Sequence, residues 1–134
     1  MLFGDEHVRV YRETGGREGH DWEGTSVLLL TTTGRRSGEP RTSALIYCPV
    51  DGAYAVFGSK GGSPAHPAWY LNLVADPEVT VQVGDEAFPA RARTAVGAER
   101  ERLWPVLMAH WPDWEGYQAK TDREVPIVVL ERVS

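Results

Sequence analysis

Short segments rich in β-branched and apolar residues recur along most of this chain, and turns containing glycine, proline or aspartate separate them. Residues 25–33 include Val27-Leu28-Leu29-Leu30 without polar alternation, a pattern typical of a strand buried on both faces. Asp51-Gly52 is a strong hairpin signal between two further strands. Strands are predicted over residues 25–33, 42–50, 53–58, 79–83, 87–95 and 125–133.

Two helical patterns interrupt these strands. Residues 67–75 carry an apolar stripe and begin with Pro67, which suits a first helical turn. Residues 98–110 form the second, with Pro105 as an expected kink. Most strand connections are short, so about six strands should form a mainly antiparallel sheet with two or three helices. An antiparallel sheet of this size removes its edges by closing into a small barrel. The predicted fold class is therefore mainly β (α+β).

The 134 residues fit one ordinary domain. Residues 1–24 are polar and contain several glycines, which indicates a flexible or partly docked leader with a short helix near Val8. Residues 25–134 hold every predicted strand. We therefore expect an N-terminal leader followed by one barrel domain.

The net charge of −5 argues against nucleic acid and anionic membranes as partners. The start lacks the apolar core of a signal peptide, and the longest apolar run is too short to cross a bilayer. The single cysteine, Cys48, excludes an internal disulfide, and the four histidines lack metal-ligand spacing. We expect a soluble cytoplasmic protein with an inert buried thiol, no metal and no stable membrane insertion; the oligomeric state stays open.

Positive charge is concentrated in one stretch of this acidic chain. Residues 34–62 hold four basic and two acidic residues, whereas the remainder has ten basic and seventeen acidic residues. The turn at residues 34–41 supplies Arg35, Arg36 and Arg41, whose planar guanidinium groups match phosphate and carboxylate. Its glycines allow backbone amides to approach a ligand. The turn is interpreted either as an anion clamp or as a solvated hairpin tip.

Two further segments carry possible chemistry. The loop at residues 59–62, Ser-Lys-Gly-Gly, follows a strand and precedes a helix, where free amides can hold an anion. Trp111, Trp114 and Tyr117 are spaced by three, so they lie near one helical face on which a planar substrate could stack. Ordinary turn geometry and core packing are the respective alternatives. No Gly-x-Ser-x-Gly elbow supports hydrolase chemistry.

Three ordered motifs resemble one protein family. They are the run from Leu29 to Arg41, the run Ser59-Lys60-Gly61-Gly62 followed by residues 67–73, and the closing run from Tyr117 to Val129. Together they resemble the deazaflavin-dependent nitroreductases and F420H2-dependent quinone reductases of actinobacteria. The resemblance spans about residue 25 to the C-terminus. It implies a split β-barrel of the flavin-binding type and coenzyme F420 as the cofactor.

The resemblance also implies roles for single residues. Arg35, Arg36, Ser37 and Arg41 would meet the phosphate and the glutamyl carboxylates of the coenzyme tail. Further cofactor-binding positions would be Thr42, Ser43, Ala44, Leu45, Gly58, Ser59, Lys60, Gly61, Gly62, Ala68, Trp69 and Asn72. The acceptor would be held by Ile46, Trp111, Trp114 and Tyr117.

The implied reaction is hydride transfer from reduced deazaflavin to a quinone or a nitroaromatic-type planar acceptor. The coenzyme carries the hydride, so no dedicated catalytic side chain is expected. Family members that activate nitroimidazoles have tyrosines where this chain has Ile46, Trp111 and Trp114. This departure counts against nitroimidazole activation more than against quinone reduction. A non-catalytic F420-binding or storage protein and an FMN-binding barrel oxidoreductase are the two alternatives.

Overall fold

The computed structural model describes residues 4–22, 25–59 and 65–133. In chain order, the elements are α1 (Gly4–Thr14), β1 (Asp21–Trp22), β2 (Thr25–Thr33), β3 (Pro40–Ile46), β4 (Cys48–Val50), β5 (Ala53–Phe57), α2 (Ala68–Ala75), β6 (Glu78–Val83), β7 (Glu86–Thr94), α3 (Gly97–His110), α4 (Asp113–Ala119) and β8 (Ile127–Arg132).

Every strand pair in the described sheet is antiparallel, as predicted. The strand order is β1-β2-β6-β7-β8-β5-β4, and β3 pairs with β2. Because β3 and β4 are separated only by Tyr47, the chain itself joins the two ends of the curled sheet. The Tyr47 amide donates to the Ser26 carbonyl oxygen at 3.1 Å, which fixes this corner. The fold is a split β-barrel.

The structure refines three details of the predicted elements. The single strand predicted over residues 42–50 breaks at Tyr47, and its halves pair with different partners, β2 and β5. Pro67 lies at the N-cap of α2, one position before the first helical turn. The described residues contain eight strands and four helices, more than expected, because β1 and α4 are short and the strand predicted over residues 42–50 divides into β3 and β4.

The strand β2 is buried on both faces, as its uninterrupted apolar run predicts. Leu28 and Leu30 face the barrel interior with Val56, Phe88 and Val128. Val27 and Leu29 face the opposite side, where they pack against Val8 and Tyr11 of α1. The helix therefore covers an apolar sheet face that would otherwise meet water.

Tyr11 ties α1 to the turn between β6 and β7. Its side chain is fully buried. The hydroxyl accepts a hydrogen bond from the Gly84 amide at 2.7 Å and donates to the Gln82 carbonyl oxygen at 3.3 Å. Burial raises the pKa of the Tyr11 phenol to about 12. The helix and the barrel share one apolar cluster. The division into a leader of residues 1–24 and a barrel of residues 25–134 stays a prediction.

Within residues 4–22, 25–59 and 65–133, no helix is long and apolar enough to cross a membrane. Cys48 is buried and free, and burial raises the pKa of its thiol. Its burial agrees with the prediction, and its inertness stays a prediction.

The Tyr11 hydroxyl provides a test of helix docking. Tyr11→Phe leaves the Gly84 amide without its acceptor, so the free energy of unfolding should fall by about 1–2 kcal/mol. Urea denaturation followed by circular dichroism measures this change. Tyr54→Phe is the matched control, because the Tyr54 hydroxyl makes no hydrogen bond with the residues that the structure describes. An equal loss in both variants would contradict the assigned role of the Tyr11 hydroxyl.

Candidate cofactor and acceptor site

The basic turn joins β2 to β3 and is closed by its own backbone. The Gly34 amide donates to the Glu39 carbonyl oxygen at 2.8 Å, and the Gly38 amide donates to the Gly34 carbonyl oxygen at 2.8 Å. Gly38 has a φ of 74°, which favours glycine. A Cβ at Gly34 would lie 2.8 Å from the Ser37 hydroxyl oxygen, so this position has no room for a side chain. The three arginines of the turn remain exposed at its rim.

Asn72 of α2 holds the turn in place. Its side chain is only 4% exposed. The amide oxygen accepts from the Arg35 backbone amide at 3.2 Å and from the Arg35 guanidinium at 3.0 Å. The amide nitrogen donates to the Thr32 hydroxyl at 3.2 Å. Asn72 therefore connects the helix, the end of β2 and the first arginine of the turn.

A cavity of about 270 Å³ lies between this turn and α2. Its lining brings together eight of the residues predicted to bind the cofactor. They are Arg35, Arg36, Ser37, Arg41, Ser43, Ala68, Trp69 and Asn72. The cavity thus has guanidinium and hydroxyl donors on one side and an indole on the other, which suits an anion attached to a flat apolar group.

The four residues predicted on β3 divide between two faces, because side chains alternate along a strand. Ser43 lines the cavity, and Leu45 packs into the barrel interior with Trp69. Thr42 and Ala44 point to the other face, toward α1. The Thr42 hydroxyl accepts a hydrogen bond from Arg12 at 2.7 Å and shares another with Thr31 at 2.8 Å.

Arg12 belongs to a second groove, of about 560 Å³, that lies beside the cavity. Arg9 and Arg12 of α1 line it together with Arg41, which also lines the first cavity. Asp5 and Glu13 of α1 also line this groove, and Arg9 pairs with Glu13, so Arg12 is the cation that α1 places next to β3. Sequence reasoning missed Arg12, since only the docking of α1 brings residue 12 next to residue 42.

The second predicted cofactor segment begins at the end of β5. Gly58 and Ser59 are buried, and a Cβ at Gly58 would lie 2.8 Å from Pro126 and 3.6 Å from the Trp69 indole. Trp69 therefore spans the space between the basic turn and this strand end. Lys60, Gly61 and Gly62 lie outside the described residues.

The four predicted acceptor residues gather at one apolar cluster. Trp114 lies inside it, is 4% exposed and packs against Phe57 with ring centroids 5.5 Å apart. Ile46, Trp111 and Tyr117 pack against the same cluster from its rim. Trp114 is thus mainly a core residue, whereas Trp111 and Tyr117 are half-buried.

The Trp111 indole N–H is an unusual donor. It is buried, and it has no hydrogen-bond partner among the residues that the structure describes. A buried donor without an acceptor costs about 1–3 kcal/mol. A bound water or a ligand can supply the missing acceptor.

Comparisons with known proteins identify the family. Residues 4–132 match the family model described as F420H(2)-dependent quinone reductase. The chain belongs to the F420H(2)-dependent quinone reductase family. The match includes α1, so the family pattern extends further toward the N-terminus than the resemblance starting near residue 25.

Several family relatives and solved structures are similar over most of this chain. An F420H(2)-dependent quinone reductase of Mycobacterium tuberculosis (strain H37Rv) is 39% identical over 94% of this chain and 87% of its own. A solved F420-H2 dependent reductase is 43% identical, covers 78% of this chain and 93% of its own, and has a TM-score of 0.72. A structure described as a domain-swapped dimer is 39% identical with 92% of each chain covered and a TM-score of 0.76. A FAD-binding protein of Mesorhizobium loti, at 19% identity over 81% of this chain and 79% of its own and a TM-score of 0.55, shares the fold alone.

The Asn72 hub generates a prediction about the basic turn. Asn72→Leu removes the acceptor of two Arg35 donors and the partner of Thr32, all within a buried site. We expect the free energy of unfolding to fall by about 2–3 kcal/mol and hydrogen exchange of the Arg35 amide to accelerate. Urea unfolding and NMR-detected exchange measure the two effects. Leu71→Ala, on the exposed side of α2, is the control. Unchanged hydrogen exchange of the Arg35 amide in Asn72→Leu would show that Asn72 does not hold the turn.

Proposed function

We propose that this chain binds coenzyme F420 between the basic turn and α2 and reduces a quinone with it. The observation that carries the proposal is the cavity that three arginines and Trp69 line together. The three guanidinium groups offer planar donors to phosphate and carboxylate groups of the coenzyme tail. Exposed arginines with few internal acceptors remain available to a ligand.

The residues around the cavity fit such a coenzyme. Gly34 and Gly58 let the basic turn close on Ser37 and the end of β5 pack on Pro126, since a Cβ at either glycine would lie 2.8 Å from that neighbour. Ser43 and Ser37 add hydroxyl groups to the lining. We assign tail contacts to Arg35, Arg36, Ser37 and Arg41, and ring contacts to Ser43, Gly58, Ser59, Ala68 and Trp69. Lys60, Gly61 and Gly62 are assigned to the same role from sequence only.

Thr42, Ala44 and Leu45 hold β3 in place between its two neighbouring layers. Thr42 fixes Arg12 beside Arg41, and Ala44 and Leu45 seat the strand between α1 and the barrel interior. Arg12 extends the cationic surface toward α1. Asn72 orients Arg35 and keeps the turn rigid.

When bound, the reduced coenzyme supplies the hydride. The protein then has to hold the acceptor flat, exclude water and provide a donor to the oxygen that gains negative charge. Trp111 offers a buried N–H that lacks an acceptor among the described residues, and Ile46 and Tyr117 border the same cluster. We assign these three residues to the acceptor and assign Trp114 the role of supporting them from the core. A quinone has carbonyl oxygens that can accept the Trp111 N–H.

The single buried cysteine and the absence of any disulfide requirement favour a reducing compartment, so we propose a cytoplasmic location. The proposed binding partner is a small planar molecule that accepts the hydride.

Coenzyme selection tests the proposed function directly. The protein should bind F420 in preference to FMN and should oxidise F420H2 when menadione is added anaerobically. Equilibrium titration with both coenzymes and the absorbance of F420H2 provide the two readouts. Preferential FMN binding would replace the cofactor assignment, and tight F420 binding without turnover across a set of quinones would indicate a storage protein.

Arg41 should contribute to coenzyme affinity because it lines both basic grooves. Arg41→Ala should weaken F420 binding about tenfold, since a hydrogen bond to a charged group contributes about 1.5 kcal/mol. Higher salt should reduce this difference. Arg91→Ala is the control: Arg91 is exposed and pairs with Glu78 across β6 and β7. An equal affinity of Arg41→Ala and wild type would remove Arg41 from the site.

Replacing Trp111 should weaken binding of the acceptor without lowering the stability of the fold. Trp111→Phe removes the unsatisfied donor, so the free energy of unfolding should be unchanged or rise by about 1 kcal/mol. The KM for menadione should rise several-fold, whereas F420 affinity should stay the same. Steady-state kinetics and urea denaturation measure these changes. A KM equal to that of the wild type would show that the indole N–H does not contact the acceptor.

A further inference from the structure

Arg123 lies in the loop between α4 and β8, yet its side chain reaches the start and the end of a different loop. One terminal nitrogen, Nη2, donates to the Gly58 carbonyl oxygen at 3.1 Å and to the Ser59 carbonyl oxygen at 2.8 Å. The other, Nη1, lies 3.1 Å from Nδ1 of His66. Gly58 and Ser59 follow β5, and His66 precedes α2. One guanidinium group therefore connects the backbone of Gly58 and Ser59 to the side chain of His66, which lies at least seven residues further along the chain.

The loop that carries Arg123 is itself fixed at several points. The Gln118 side chain of α4 donates to the Arg123 carbonyl oxygen at 2.8 Å and accepts from the Val125 amide at 2.9 Å. The Gly58 amide donates to the Pro126 carbonyl oxygen at 2.9 Å. The guanidinium group is thus presented from a braced segment, which is what a residue that positions others requires.

His66 has to be a neutral acceptor for this arrangement to form. Arg123 has only donors, so Nδ1 of His66 carries no proton and the proton of the neutral ring lies on Nε2. Burial and the positive charge of Arg123 both lower the pKa of His66. The ring also stacks at a tilt on Tyr70 of α2, with centroids 4.9 Å apart. His66 therefore connects the Arg123 guanidinium to the helix that carries Trp69 and Asn72.

We propose that Arg123 is a positioning residue for the coenzyme site, because it fixes Ser59 and His66 and thereby the wall formed by the end of β5 and the start of α2. This inference rests on the proposed function. Arg123 contacts protein acceptors and acts on the coenzyme through Gly58, Ser59 and His66. Nothing in the local sequence around residue 123 signals this role, since these three partners lie 57 to 65 residues away.

The planar fork of arginine is essential to the role. Its two terminal nitrogens point in divergent directions and reach the two carbonyl oxygens and the imidazole at the same time. A lysine keeps the charge but has one compact ammonium group. Arg123→Lys therefore separates the geometry of the fork from its charge, and Arg123→Gln removes both.

The first measurement is independent of the coenzyme. An NMR titration of the His66 ring should show a pKa below the ordinary value in the wild type. Arg123→Gln should raise that pKa, because a positive neighbour is lost, and Arg123→Lys should leave it low. An unchanged His66 pKa in Arg123→Gln would refute the contact on which the inference depends.

The second measurement is the dissociation constant of F420, obtained by equilibrium titration of the full chain. Both Arg123→Lys and Arg123→Gln should weaken binding about tenfold, as expected when a charged donor to buried acceptors is lost. The matched control is Arg100→Gln. Arg100 donates to the Val125 carbonyl oxygen at 2.7 Å in the same segment, and no bond joins it to Gly58, Ser59 or His66 in the part of the chain that the structure describes. Its variant should bind F420 like the wild type.

Thermal unfolding of each variant shows whether weaker F420 binding comes from a displaced site or from a chain that does not fold. If an Arg123 variant does not fold, His66→Ala tests the same contact, and its F420 dissociation constant should rise several-fold. Unchanged F420 affinity in the Arg123 variants, or in His66→Ala where those do not fold, would overturn the positioning role and leave the proposed function intact. A wild-type chain that fails to bind F420 would instead refute the proposed function.

Discussion

The double-sided burial of β2 is the constraint on which the rest of the structure depends. Leu28 and Leu30 fill the barrel interior, while Val27 and Leu29 need a second cover, which α1 provides. The same strand pairs with β3 on one edge and with β6 on the other. Because all these neighbours meet at one strand, the turn that follows β2 emerges from the most restrained part of the fold. A cationic loop is thereby held on a rigid base, which is the arrangement that pre-organised binding requires.

Side chains restrain the proposed site further. Asn72 links the basic turn to α2, and Arg123 links the start of α2 to the end of β5. Trp69 stands between the two, within 3.6 Å of the position that a Cβ at Gly58 would take. In the proposed coenzyme site, the buried Asn72 and the half-buried Arg123 therefore each form hydrogen bonds with a second element. Removing one link loosens an element that is distant in sequence.

Much of this could be predicted from residue patterns, and the exceptions have physical causes. The β2 strand, the basic turn and the split barrel are confirmed because they depend on local signals: an apolar run, glycines at a turn, and ordered family motifs. The residues missed were Arg12, Thr32 and Arg123, whose partners are far along the chain. The alternation of side chains on β3 could have been anticipated, since period-two geometry already separates Ser43 from Thr42 and Ala44. The burial of Trp114 could not, because aromatic spacing describes a helix face without saying what covers it.

The docking of α1 also bears on how this protein behaves outside its folded state. The helix covers Val27, Leu29 and Ala44, which would otherwise form an apolar surface beside a paired strand. A chain cleaved after residue 14 by a protease would present that surface to other molecules. Apolar patches of this kind promote self-association. The N-terminal helix thus protects the folded chain against self-association, in addition to placing Arg12 beside the basic turn.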